Sequence, residues 1–97
     1  ANINVQYPGQ MAPLHRDNHG HACKKLNKKF EDFERVLVFL TDWEVGQVFG
    51  CEDKSITKWK RGDCYTFNAT DQHFSANTGM KTKYTIVISV LKECLKK

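Results

Sequence analysis

Three residues that commonly bind metals have the spacing that a metal site needs. His15 and Asp17 lie two positions apart, and His73 follows far downstream. Residues i and i+2 of a β-strand point to the same side, so His15 and Asp17 can contact one ion from a single strand while His73 comes from a second. Two imidazoles and one carboxylate suit iron(II) and leave one face of the ion open. The spacing therefore predicts an iron(II) site, and the alternative is two surface histidines and an aspartate in a turn.

A cation follows the second histidine at a distance that also suggests a ligand. Lys83 lies ten residues after His73 and begins a segment rich in Thr, Ile and Val. A lysine is costly to bury in such a strand without an anion, so an inward Lys83 predicts a bound acid, with the hydroxyl of Thr85 on the same face. The alternative is an edge strand with Lys83 in solvent. Lys81 is the competing cation, and we expect it to be exposed at the preceding turn.

A second cluster of possible metal ligands follows the first. His19, His21 and Cys23 form an H-x-H-x-C sequence, but the fixed spacing of a zinc motif and a downstream ligand pair are both missing. We interpret these residues as part of a loop beside the site. The chain has four cysteines and no C-x-x-C, which predicts reduced thiols in a cytoplasmic protein.

The composition is that of an ordinary globular chain. With 97 residues, 40% hydrophobic and 27% charged, the sequence predicts one domain over residues 1–97, and its start at Ala1 leaves room for an N-terminal extension. The longest apolar run, residues 36–40, is too short to cross a membrane. The net charge is +4, and no nucleic-acid motif accompanies it, so we interpret the lysine clusters as solvated surface and expect no nucleic-acid or membrane partner.

Short strands separated by turns dominate the pattern. Pro13 suggests an edge position or a late start for its strand. The spacing of Leu26, Phe30 and Phe33 allows either a minor helix or an ordered loop within residues 18–34. Many short strands with glycine-containing turns predict an all-β fold, of which a jelly roll, the double-stranded β-helix shared with cupins, fits this length. The predicted strands cover residues 2–7, 11–17, 36–40, 47–51, 55–59, 64–67, 72–76 and 83–91.

Four stretches of the chain carry a resemblance to a known family. The first two, Tyr7-Pro8-Gly9 and His15-Arg16-Asp17-Asn18, are similar to the opening of prolyl hydroxylases. The third resembles the W-x-x-G-D…F…H-x-x-x-N stretch found also in aspartyl/asparaginyl β-hydroxylases, and the fourth, Thr82-Lys83-Tyr84-Thr85, resembles the last core strand of the family. The third stretch is made of Trp59, Gly62-Asp63, Phe67, His73 and Asn77. From about Ile3 to Val90, the chain resembles the iron(II)/2-oxoglutarate-dependent oxygenases.

This resemblance implies a dioxygenase that couples oxidative decarboxylation of 2-oxoglutarate to hydroxylation of a substrate. It implies Fe(II) on His15, Asp17 and His73, and 2-oxoglutarate on Lys83 and Thr85. It adds O₂ as a reactant, leaves room for ascorbate as a reductant, and allows a small-molecule or a peptidyl substrate.

The resemblance leaves some roles and functions open. Tyr7 is either the family tyrosine that faces the co-substrate or a core aromatic, and Asn77 either supports the site by hydrogen bonding or shapes a turn. Trp59 and Phe67 are expected to be core residues rather than substrate contacts. Two other functions compete: a cupin-like barrel that binds a metal or a small molecule without oxygenase activity, and an inactive β-barrel that serves as an interaction module.

Overall fold

The computed structural model describes residues 2–15, 32–68 and 70–91, with His15 described by its backbone alone. These ranges contain eight β-strands and no α-helix. None of the described residues belongs to a helix long and apolar enough to cross a membrane. The strands are β1 (Asn2–Gln6), β2 (Gln10–His15), β3 (Phe33–Phe39), β4 (Gln47–Cys51), β5 (Lys54–Ile56), β6 (Cys64–Asn68), β7 (His73–Asn77) and β8 (Lys83–Leu91).

The strands form two antiparallel four-stranded sheets. The first sheet has the order β1-β8-β3-β6, and the second has the order β2-β7-β4-β5. Apart from the hairpin of β4 and β5, every pair of neighbouring strands joins parts of the chain that are distant in sequence. The expectation of an all-β fold is confirmed. The minor helix expected within residues 18–34 lies almost entirely outside the described residues.

Most predicted strands lie where the sequence pattern placed them, but β3 begins at Phe33 instead of Val36 and β5 is shorter than predicted. The bounds of β4 and β8 agree with the prediction, whereas β5 ends at Ile56 instead of continuing to Trp59. Lys58 has a φ of 59°, which no extended strand accommodates. The chain therefore turns after Ile56, and this turn brings the Trp59 side chain into the core.

Pro13 lies on an edge strand, which is one of the two placements that the sequence allowed. β2 pairs only with β7 and forms one edge of the second sheet. Its register shifts between Ala12 and His15, as in a β-bulge. Proline lacks the N–H that a central strand would need, so an edge strand with an irregular register accommodates it.

The apolar core lies between the sheets on the side of β3, β4 and β6. Phe39 and Trp59 stack with ring centroids 4.1 Å apart, and the indole nitrogen of Trp59 donates to the Thr41 carbonyl oxygen at 3.1 Å. Trp59 and Phe67 are buried core residues, as expected. The buried core residues are Leu37, Phe39, Phe49, Cys51, Trp59, Phe67 and Val87.

Two loops close one end of the space between the sheets. Gly46 has a φ of +96°, and a Cβ atom there would lie 2.6 Å from the backbone nitrogen of Gly79. Thr78 donates its backbone N–H to the Gly46 carbonyl oxygen at 2.8 Å. The side chain of Gln47 is fully buried and donates to the Lys81 carbonyl oxygen at 3.1 Å. We refer to this contact between the loops, made by residues 44–47 and 77–81, as the closed end.

Candidate functional site

A cleft of about 660 Å³ lies between the two sheets, beside the apolar core. Its volume is typical of small-molecule sites in proteins. Residues of β1, β2, β3, β7 and β8 contribute most of its walls, and several of them are polar. The polar residues that line it include Gln6, Arg35, His73, Ser75, Lys83 and Thr85.

His73 lies in the cleft at the start of β7. It is buried, and its ring centroid is 4.8 Å from that of Phe67. The register of β7 pairs His73 with His15 of β2 on one side and with Cys51 of β4 on the other. The two histidines predicted to bind iron are therefore direct neighbours on adjacent strands. The His15 side chain and all of Asp17 lie outside the described residues.

The surroundings of His73 suit a metal ligand. Its Nδ1 lies 3.2 Å from the Asp71 carbonyl oxygen. With its hydrogen on Nδ1, the ring donates to this carbonyl, and Nε2 is then the nitrogen that carries the lone pair a metal needs. Metal-binding histidines are commonly oriented by such a hydrogen bond from the second ring nitrogen.

Lys83 is a buried cation in the same cleft, with only 3% of its surface exposed. Its Nζ donates to the Ser75 hydroxyl at 2.5 Å and to the Val48 carbonyl oxygen at 3.4 Å, and lies 5.3 Å from the centre of the Trp59 ring. Within the described ranges, no acidic side chain forms an ion pair with it. Because burial disfavours the charged form, it lowers the pKa of Lys83 to about 8.

Thr85 and Lys81 have the positions that the sequence predicted for them. Thr85 is buried, lines the cleft and shares a face of β8 with Lys83. Lys81 is exposed before the strand begins. The burial of Lys83 and the exposure of Lys81 agree with the expectation, whereas binding of 2-oxoglutarate by Lys83 and Thr85 stays a prediction.

Ser75 and Gln6 belong to the site although the sequence did not single them out. The Ser75 hydroxyl accepts from Lys83 and donates to the Gln6 side-chain oxygen at 3.1 Å. Gln6 in turn donates to the Ser75 carbonyl oxygen at 3.3 Å. Ser75 could have been found from its i+2 spacing to His73, which places both on one face of a strand.

The structure does not bring Tyr7 into the cleft. Tyr7 follows the end of β1, is 56% exposed and is not among the residues that line the cleft. β1 pairs with β8 so that Gln6 is opposite Lys83, and Tyr7, the next residue along the chain, lies beyond the end of the strand. The position of Tyr7 thus supports neither of its predicted roles, as a co-substrate contact or as a core aromatic.

Asn77 has a structural environment at the closed end. It is fully buried, and its side-chain nitrogen donates to the carbonyl oxygens of Gln6 and Lys81, both at 2.8 Å. Its side-chain oxygen accepts from the Gly79 backbone N–H at 3.1 Å. The amide therefore connects β1 to the turn before β8. Of the two alternatives for Asn77, these contacts favour the shaping of the turn.

The described cysteines are free thiols with different surroundings. Cys64 is exposed and Cys51 is buried beside His73. Burial, together with the nearby carboxylates of Asp71 and Glu52, raises the pKa of the Cys51 thiol to about 11. A thiol with such a pKa is a poor metal ligand and a poor nucleophile near neutral pH.

Among the described residues, no three His, Cys, Asp or Glu side chains are close enough to hold a metal. The predicted iron site is not tested by this, since two of its three ligand side chains are outside that set. The cluster of His19, His21 and Cys23 is outside it too.

Comparison with known proteins bears on the fold. No protein-family model matches the chain, and no curated protein matches it. A solved structure, that of TT1209 from Thermus thermophilus, is similar over 92% of this chain and 69% of the other, with a TM-score of 0.63 and 15% identity. At this identity the similarity shows a shared fold and nothing about activity.

Proposed function

We propose that the chain is an iron(II)/2-oxoglutarate-dependent dioxygenase that hydroxylates its substrate. One observation carries the proposal: Lys83, a buried cation without an acidic partner in the described ranges, lines the same cleft as His73. A buried lysine of this kind is stabilised by a bound anion. A dicarboxylic co-substrate that also reaches a metal on His73 provides that anion.

We also propose that the two sheets form a double-stranded β-helix, the jelly-roll barrel. Each sheet combines strands from early and late parts of the chain, in the orders β1-β8-β3-β6 and β2-β7-β4-β5. The cleft lies between the sheets, where such a barrel can hold a ligand. The proposal takes residues 1–97 as one domain of a cytoplasmic protein with reduced thiols.

The spacing of Ser75 and His73 along β7 is close to the length of 2-oxoglutarate. Ser75, which contacts Lys83, is two residues from His73, or about 6.7 Å along β7. The four C–C bonds of 2-oxoglutarate span at most about 6 Å. One carboxylate can therefore lie at Lys83 while the 2-oxo acid end lies near the ring of His73.

Each group in the cleft then has a defined part. His15, Asp17 and His73 would hold the iron, which supplies activation of O₂ and oxidation of the 2-oxo acid when bound. Lys83 binds the distal carboxylate, and the hydroxyl of Thr85 donates to the same group. Ser75 and Gln6 orient the amine of Lys83 through their hydrogen bonds. The aromatic rings that line the cleft beside His73 exclude water from one side of the cleft.

A second candidate is a cupin-like barrel that binds a metal or small molecule and has no oxygenase activity. One observation favours it: Lys83 already contacts Ser75, Val48 and the ring of Trp59. These contacts stabilise part of the buried charge without any ligand. The two functions differ in whether 2-oxoglutarate binds the metal.

Spectroscopy under anaerobic conditions separates the two. Fe(II) and 2-oxoglutarate added together should give a weak visible charge-transfer band only in the dioxygenase. Release of succinate from 2-oxoglutarate in air, with pools of peptides, amino acids and small metabolites as substrates, then tests the activity. A chain that binds Fe(II) but shows neither signal is the cupin-like binder.

The metal ligands are tested by iron titration of His73→Ala and Asp17→Ala. Each change should weaken iron binding by about tenfold or more. Joint replacement of His19, His21 and Cys23 is the matched control, and it should leave about one iron per chain. Iron binding that survives both single changes, or that disappears in the control, contradicts the assignment.

A further inference from the structure

We infer that Arg35 forms a second anion-binding position in the cleft, and that the substrate carries a carboxylate or phosphate group that binds there. This inference rests on the proposed dioxygenase function, because it assigns the substrate of the same cleft. It concerns a residue that the family motifs do not include.

The position of Arg35 on its strand allows its side chain to bind an anion in the cleft. It lies on β3, is half-buried and lines the cleft. Its Nη1 donates to the Ser89 hydroxyl of β8 at 2.9 Å, which holds the guanidinium plane. A guanidinium has five N–H donors in a planar fork, so it can bind a protein acceptor and an external anion together. The inference therefore does not require an arginine that lacks protein contacts.

Arg35 and Lys83 are too far apart to share one small diacid. Arg35 pairs with Ser89, which lies six residues after Lys83 along β8, or about 20 Å. The side chains of a strand stand roughly perpendicular to the sheet, so they shorten this distance little. Because 2-oxoglutarate spans at most about 6 Å, the two cations bind different anions.

His73 lies near both positions. On one side, Ser75 connects it to Lys83 by the i+2 spacing of β7. On the other side, the ring of Phe67 is 4.8 Å from the His73 ring, and Phe67 pairs directly with Arg35 across β6 and β3. A substrate whose anionic group binds Arg35 therefore extends toward the proposed metal ligand, while 2-oxoglutarate approaches from Lys83.

The test measures binding without turnover. The full chain is loaded with Zn(II) in place of iron and titrated by calorimetry with N-acetyl-aspartate methylamide, N-acetyl-phosphoserine methylamide and the neutral N-acetyl-asparagine methylamide, with and without 2-oxoglutarate. At least one anionic probe should bind about tenfold more tightly than the neutral probe. The tighter of the two anions then distinguishes a carboxylate substrate from a phosphate substrate.

Variants of Arg35 assign the preference to this residue. Arg35→Gln should remove the preference for anions, and Arg35→Lys should restore part of it, while 2-oxoglutarate affinity changes by less than about twofold in both. Circular dichroism checks that each variant retains its β-sheet structure, and Arg35→Lys serves as the test if Arg35→Gln does not fold.

Three results overturn the inference. They are a wild-type chain without a preference for the anionic probes, a preference that survives in Arg35→Gln, and an Arg35→Gln variant that loses 2-oxoglutarate as Lys83→Met does. Failure of the proposed function gives a different result, because the wild-type chain then binds no 2-oxoglutarate. In that case the titrations without 2-oxoglutarate can still show tighter binding of the anionic probes.

Discussion

The space between the two sheets has two halves that differ in chemistry. The half beside β3, β4 and β6 is filled by aromatic and aliphatic side chains, such as the stacked pair Phe39 and Trp59. The half beside β1, β7 and β8 contains a cleft with a hydrogen-bonded chain of Lys83, Ser75 and Gln6. Burial of apolar surface stabilises the first half, whereas the second holds a buried charge that opposes folding. The apolar packing and the polar groups of the cleft therefore lie side by side between the same two sheets, and Phe49 and Phe67 belong to both.

The largest effect on stability is expected in the apolar half. Phe39→Ala removes a ring that is 2% exposed and stacked on Trp59, so it should lower the free energy of unfolding by about 3–5 kcal/mol. Ile3→Ala, on an exposed position of β1, is the control and should change it by less than about 0.5 kcal/mol. Denaturant unfolding measures both. Equal losses would mean that the two halves do not differ in their contribution to stability.

The largest effect on binding is expected in the polar half. Lys83→Met keeps the length of the side chain and removes its charge, so the affinity for 2-oxoglutarate should fall by about 2–5 kcal/mol, or roughly 30- to 5,000-fold. Iron binding should persist, because the metal ligands are unchanged. Lys81→Met is the matched control and should have little effect, since Lys81 is exposed. Calorimetry on the iron-loaded protein in the absence of O₂ measures the 2-oxoglutarate affinity of the wild-type chain and of both variants. A damaging Lys81→Met, or no effect of either change, would contradict the co-substrate assignment.

Stability should also depend on pH through Lys83. The pKa of this group is about 8 in the folded protein and 10.5 as a reference for the unfolded chain, so the unfolded chain binds more protons between these values. Its contribution to stability therefore rises with pH from about 8 to 10.5, by roughly 3 kcal/mol. Cys51 acts in the opposite direction, because its raised pKa means that stability falls as pH rises from 9 to about 11.

The free energy of unfolding, measured across this pH range in the wild-type chain and in Lys83→Met, separates the Lys83 contribution from the Cys51 contribution. The Cys51 contribution is present in both chains, so it cancels in their difference. The wild-type chain should gain stability relative to the variant as pH rises. A constant difference between the two chains would mean that Lys83 has the same pKa in the folded and the unfolded chain. For the same reason, the affinity for 2-oxoglutarate should decrease above about pH 8, because the amine loses its proton.

The smallest of these effects concerns the contact between the two loops at the closed end. Gly46 and Gly62 both have a φ of +96°, but only Gly46 has a backbone neighbour where a Cβ would lie. Gly62→Ala should therefore lower the free energy of unfolding by about 1–2 kcal/mol through backbone strain alone. Gly46→Ala should lower it by about 1 kcal/mol more, because the Cβ meets the backbone of Gly79. Equal losses in denaturant unfolding would show that the loops separate without cost.

The alternation of residues along each strand made much of this site predictable. The i+2 spacing placed Lys83 and Thr85 on one face of β8, and the structure shows that this face is buried. Pro13 marked an edge strand because it lacks an N–H. His15 and His73 were assigned to two strands, which the register now shows to be neighbours. Roles in binding iron and 2-oxoglutarate stay predictions.

The sequence by itself determined which residues share a face of a strand, and therefore the all-β character and the shared face of Lys83 and Thr85. Only the tertiary structure decided which face of each strand meets the opposite sheet. The alternation of residues does not specify the inward face, because that face is selected by pairing between strands that are distant along the chain. The pairing of β1 with β8 selected Gln6 over Tyr7, the contacts between loops fixed Asn77 at the closed end, and the pairing of β3 with β6 and β8 brought Arg35 into the cleft.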